Sequence, residues 1–133
     1  MNYSVSCQYA HHQHDESSDL GVMSAVDALQ AFDAFRWSEQ VRETNRLQKC
    51  APTFSISAGE RLIWVSAYGE PSTPIFISEC SFPGTKRILF GLMQVQGTVH
   101  LRANEWTLER SRSAVERFLS GEEDALRALY GKG

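Results

Sequence analysis

By residue type, the position best suited to chemistry is His100, in the stretch GTVHLR. An imidazole works as a general base when a carboxylate is within reach to orient it. Glu79 and Glu105 are the carboxylates a fold could bring there. Glu60, Glu70 and Glu109 complete the nearby acidic set, and none stands at a spacing that implies an acid–base pair. Cys7, His11, His12, His14 and Asp15 form a second cluster with metal-ligand residue types. Their spacing matches no zinc pattern, because a distant second pair of ligands is missing. The ordinary readings are a satisfied surface histidine and a mobile histidine-rich segment. No GxGxxG, phosphate-loop, HExxH or GxSxG pattern occurs. The expectation is a non-enzyme with no catalytic residue, no metal site and no cofactor.

The three cysteines, Cys7, Cys50 and Cys80, are odd in number and form no CxxC pair. They read as reduced thiols in a cytoplasmic protein. The first residues lack a basic segment followed by an apolar one, so no secretory signal is expected. No run approaches the roughly 20 apolar residues of a membrane span. A net charge of −3 argues against a nucleic-acid binder, which needs the opposite balance. Neither nucleic acid nor membrane is expected as a partner. A chain of 133 residues suits one domain with a real core.

Residues 1–20 are expected as a flexible N-terminal arm, since HHQHDESSD has no hydrophobic period. YSVS alternates weakly, so a lead-in strand is the alternative. Residues 21–133 are expected as a single α+β domain. Ser24 followed by Asp27 fits a capping box, and Val22, Val26, Leu29 and Phe32 recur at helical spacing. That helix runs to the high 30s, and SEQVRETNRLQK is compatible with a restart. Pro52 ends the region.

TFSISA, RLIWVSAY, IFISE, RILFGLM and GTVHLR then read as five strands. AGER is a tight turn, GEPSTP a loop, and CSFPGTK a further turn around Pro83 and Gly84. Residues 107–130 return to helix, interrupted by Gly121, with Ser120 and Glu123 opening the last segment. The sum is an α+β fold: an antiparallel sheet of about five strands, an N-terminal helix and one or two C-terminal helices.

RLIWVSAY poses a problem, because both of its faces are largely apolar. Ile63, Val65 and Ala67 share one face with Phe54 and Ile56, which suits the helices. Leu62, Trp64 and Tyr68 lie opposite, with His100, Arg102 and Phe76 as further contributors. Aromatic residues and arginine are typical interface anchors. The candidate partner-binding set is therefore Trp64, Tyr68, His100 and Arg102, rimmed by Glu60, Glu70 and Glu79. Three coverings fit the sequence: helices on both faces, a second copy of the chain, or a foreign partner.

The order of these elements resembles the immunity proteins of bacterial polymorphic toxin systems, in particular the group that neutralises deaminase and other nucleic-acid-modifying toxins. The resemblance runs from Met23 to Tyr130. It starts with the capped helix SAVDALQAFDAF and the hairpin TFSISAGERLIWVSAYG. It continues through PIFISE and RILFGLM to GTVHLRANEWTLERSRSAVERFLSGEEDALRALY. It implies a cytoplasmic inhibitor that binds one cognate toxin with a basic active-site cleft and blocks it. Its acidic side chains would stand in for a nucleic-acid or nucleotide substrate. No binding residue carries over from the family. The alternative is a type III secretion-type chaperone, an acidic homodimer that wraps an effector segment. That architecture places a helix where CSFPGTKR stands, a stretch rich in turn formers. The chain is expected as a monomer or a homodimer.

Overall fold

Strand alternation and helical spacing divide the chain into ten elements in a computed structural model that describes residues 1–88 and 93–131. They are β1 (Tyr3–Gln8), β2 (Ser18–Met23), α1 (Ala25–Ala34), α2 (Trp37–Leu47), β3 (Thr53–Ala58), β4 (Arg61–Glu70), β5 (Thr73–Ile88), β6 (Met93–Trp106), α3 (Leu108–Leu119) and α4 (Glu123–Gly131). The six strands form one antiparallel sheet in the order β2-β1-β3-β4-β5-β6. The fold is α+β, as the grouping of strands between helices implies. The N-terminus adds two strands, β1 and β2, while the expected RILFGLM strand is divided between the end of β5 and the start of β6.

Residues 1–20 are the first correction. β1 sits between β2 and β3, pairing Val5 with Ile56 and Cys7 with Phe54. Tyr3, Val5 and Cys7 are buried in the core. The polar connection after β1 is held by side chains of its own, of β1 and of α2. The Tyr9 N–H donates to His12 Nδ1 at 2.9 Å, and the Ala10 N–H donates to Gln40 Oε1 at 2.8 Å. Gln8 Nε2 donates to the carbonyls of His14 and Glu16. A composition that reads as solvated is used here to satisfy loop backbone.

The second correction concerns CSFPGTK. It is the middle of β5, with Phe82 paired to Val99 and Gly84 to Gly97. Beyond Ser81, β6 is the only strand neighbour of β5 among the described residues, so Pro83 stands where an edge is open. Of RILFGLM, Arg87 and Ile88 end β5 and Met93 starts β6, while residues 89–92 lie outside the described residues. The GEPSTP loop shrinks to a tight hairpin in which Glu70 pairs with Thr73.

Ser24 caps α1 as its sequence implies, accepting from the Asp27 N–H at 3.2 Å. Thr107 caps α3 in the same way. Ser120 has a different role from the one expected. It closes α3, its N–H bonding to the Glu116 carbonyl, and Gly121 follows at φ 72°. That left-handed residue is the usual glycine stop.

One core joins all four helices to one sheet face. Phe32 of α1, Trp37 and Val41 of α2, Val115 and Phe118 of α3, and Leu126 and Tyr130 of α4 meet Phe54, Ile56, Ile63, Val65 and Phe76. Phe32 stands edge-on to Phe54 at 5.4 Å, and Trp37 edge-on to Phe76 at 5.2 Å. Tyr130 bonds the Ser78 hydroxyl at 2.7 Å, so a polar pair is satisfied inside the core. No helix among the described residues is long and apolar enough to cross a membrane.

Candidate functional site

The opposite sheet face is built by the same alternation, one residue out of phase. β4 contributes Leu62, Trp64, Ser66 and Tyr68; β5 contributes Ile75, Ile77, Glu79 and Ser81; β6 contributes His100 and Arg102. None of these belongs to the core that the helices share. Leu62, Tyr68 and Ile75 are 38%, 40% and 38% exposed, and Trp64 is half-buried among its neighbours. The question raised by RLIWVSAY is thus answered within the chain: among the described residues, no helix covers its second face.

Strand register sorts the face into rungs. Trp64 stands across from Glu79, which stands across from Arg102. The next rung is Leu62, Ser81 and His100. In the first rung Arg102 Nη1 bonds Glu79 Oε2, and the guanidinium lies 6.0 Å from the centre of the Trp64 ring. The Asn104 side chain holds Arg102 Nε at 2.9 Å. An ion pair this exposed contributes at most about 1 kcal/mol to stability, so its effect is to fix side-chain positions.

Between the two rungs lies a cavity of about 190 Å³, lined by Leu62, Trp64, Glu79, Cys80, Ser81 and His100. Cys80 meets it from below, since its side chain belongs to the core. Burial pushes the Cys80 thiol up to about 12, with the charge of Glu123 adding to the rise and that of Arg61 opposing it. A thiol held protonated is a poor nucleophile.

The structure therefore brings together four of the seven expected residues: Trp64, Glu79, His100 and Arg102. Tyr68 lies on the same face, four residues along β4 and about 13 Å from Trp64. Glu60, in the turn just before β4, and Glu70, at its far end, are about 33 Å apart and flank the face without touching its centre. Phe76 is a correction. It is fully buried on the helical face, because it pairs with Ala67 of β4. Ile75 and Ile77 take the outward positions. The signal for them is the Ala67–Phe76 pairing, which sequence alone does not give.

His100 forms no acid–base pair among the described residues. Glu79 is committed to Arg102, and Ser81 is the residue across from His100. Two of the three N-terminal histidines are engaged otherwise, and His14 is exposed. His11 stacks on Tyr9 at 5.7 Å, and His12 is buried against both. Cys7 points into the core. Among the described residues, no group of three or more His, Cys, Asp or Glu side chains is placed to hold a metal ion.

Set against known protein families, curated proteins and solved structures, the chain matches none.

Proposed function

We propose that this chain is an immunity protein that binds a cognate bacterial toxin in the cytoplasm and blocks its active site. The uncovered sheet face carries this reading. It carries Trp64 and Leu62 beside a fixed Glu79–Arg102 pair, with Tyr68 and Ile75 further along the same face. An apolar, aromatic face of this kind is the composition of a protein interface, in which a few aromatic and arginine side chains supply most of the binding energy. Glu60 and Glu70 at its ends favour a basic partner, such as a cleft that holds nucleic acid or a nucleotide. The element order from Met23 to Tyr130 gives the same direction through its resemblance to immunity proteins of polymorphic toxin systems.

The test is co-expression with the product of the adjacent gene. A stoichiometric complex that protects cells from that product is expected. Absence of a complex, together with a homodimer in solution that buries Trp64, overturns the reading and favours the acidic chaperone.

A further inference from the structure

The cavity between the two rungs has a definite chemistry. At about 190 Å³ it is smaller than the roughly 300 Å³ at which metabolite pockets begin, and it suits a single side chain. Its polar lining can accept hydrogen bonds: the Glu79 carboxylate only accepts, and the Ser81 hydroxyl and the His100 ring each carry an acceptor beside their donor. Glu79 uses Oε2 for Arg102 and keeps Oε1 free. The Ser81 hydroxyl and the His100 ring have no hydrogen bond to another described residue. The nearest strong donor, Arg102, is already tied to Glu79 and Asn104. The indole of Trp64 supplies an aromatic surface, and Leu62 supplies an apolar one for an alkyl stem. Carboxylate oxygen, free acceptors and an indole together recognise a cation on an aliphatic chain.

The geometry points to this cavity as the seat of an arginine or lysine side chain of the partner protein. The inference rests on reading the open face as toxin-binding, and it names the group that face takes. The incoming cation shares the Glu79 carboxylate through Oε1 and lies against Trp64. Arg102, bonded to Oε2 and 6.0 Å from the centre of the Trp64 ring, fixes the carboxylate and competes with the ligand for both the charge and the indole. A cation-seeking face would engage a cleft rich in arginine and lysine, which is the kind that handles phosphate-bearing substrates.

The experiment uses the full chain alone, so it does not depend on the toxin's identity. The ¹⁵N-labelled protein is titrated with N-acetyl-arginine amide and, separately, with its neutral isostere N-acetyl-citrulline amide. Saturable shifts are expected at the Trp64 indole and at the amides of Leu62 and His100, with the arginine compound and not with the citrulline one. Glu79→Gln is expected to weaken the response roughly two- to fivefold, the range of an exposed charge pair. Arg102→Gln frees the whole carboxylate and is expected to strengthen it by a similar factor. Both positions are part-exposed, and dispersed spectra report that the variants fold. Equal responses to the two compounds, no response, or a response indifferent to Glu79→Gln each overturn the cation site. They leave the co-expression result untouched, so the two readings fail separately.

Discussion

At the scale of single residues, position in the sheet separates what holds the fold from what is free to bind. Trp64 is half-buried, yet it lies outside the core shared by the helices. Trp64→Ala is therefore expected to cost the isolated protein under about 1 kcal/mol by thermal melting, far below the 3–5 kcal/mol of a core tryptophan. If the proposed toxin is the partner, the same change is expected to weaken that complex by about a hundredfold or more in a calorimetric titration, as for a central anchor. A large loss of stability with unchanged binding would assign Trp64 to the fold. Cys80 shows the opposite case. Burial raises its folded pKa to about 12, from 9.0. The folded chain holds this proton more tightly than the unfolded chain. The contribution is fully present below about pH 9 and is lost as pH climbs toward 12. The slope is about 1.4 kcal/mol per pH unit for one such group. Burial raises the Cys7 thiol as well, so its contribution has the same sign. Urea unfolding between about pH 8 and pH 11 is expected to show this decline, and Cys80→Ala is expected to make it shallower, leaving the part due to Cys7. An unchanged slope in that variant would remove Cys80 as the cause.

At the scale of elements, local rules hold where a side chain meets its own backbone, and they fail where pairing decides. Ser24 and Thr107 cap their helices, and Gly121 stops α3 at φ 72°, all from local geometry. Gln48 ends α2 in the same left-handed region at φ 54° without being glycine. Gln48→Gly is expected to stabilise the protein by about 0.5–1 kcal/mol, since glycine adopts that conformation without a Cβ clash. A lower melting temperature in that variant would mean that the Gln48 side chain holds the turn. The same contrast explains how the sequence can be read. The inward and outward sets of β4 follow from alternation alone, and so does the face shared by His100 and Arg102. CSFPGTK reads as a turn because Pro83 and Gly84 are turn formers, yet it is extended in β5. Its pairing with β6 through Val99 and Gly97 is a long-range fact with no local signature. Phe76 reads as a surface aromatic for a similar reason. The Phe76–Ser78 stretch carries a register shift against β6, and only the pairing with Ala67 sends the ring inward.

For the molecule as a whole, the placement of the N-terminus decides how the sheet is completed. β3 would be an open edge without β1, and Phe54 and Ile56 would lose the neighbours that Cys7 and Val5 provide. Tyr3 also reaches across to α3, where its hydroxyl donates to the Leu119 carbonyl at 3.0 Å and its ring meets Phe118 at 6.0 Å. Burying a side chain such as valine contributes about 1.5–3 kcal/mol. Three buried residues of β1 together contribute roughly 5 kcal/mol or more on that scale. A domain of this size has only about 5–15 kcal/mol of net stability. Removal of residues 1–23 is therefore expected to abolish cooperative unfolding, as seen by circular dichroism melting, and to leave an aggregation-prone chain with a bare edge. The lost unit includes none of the side chains on the candidate binding face. A truncated chain that melted at the original temperature would restore the reading of this segment as a mobile arm. It would also return the histidine-rich stretch to the list of groups free to meet a partner. Collapse of the fold would instead explain why a polar, aperiodic beginning carries Tyr3, Val5 and Cys7 at alternate positions: the alternation supplies one strand of the scaffold that holds Trp64, Glu79, His100 and Arg102 in register.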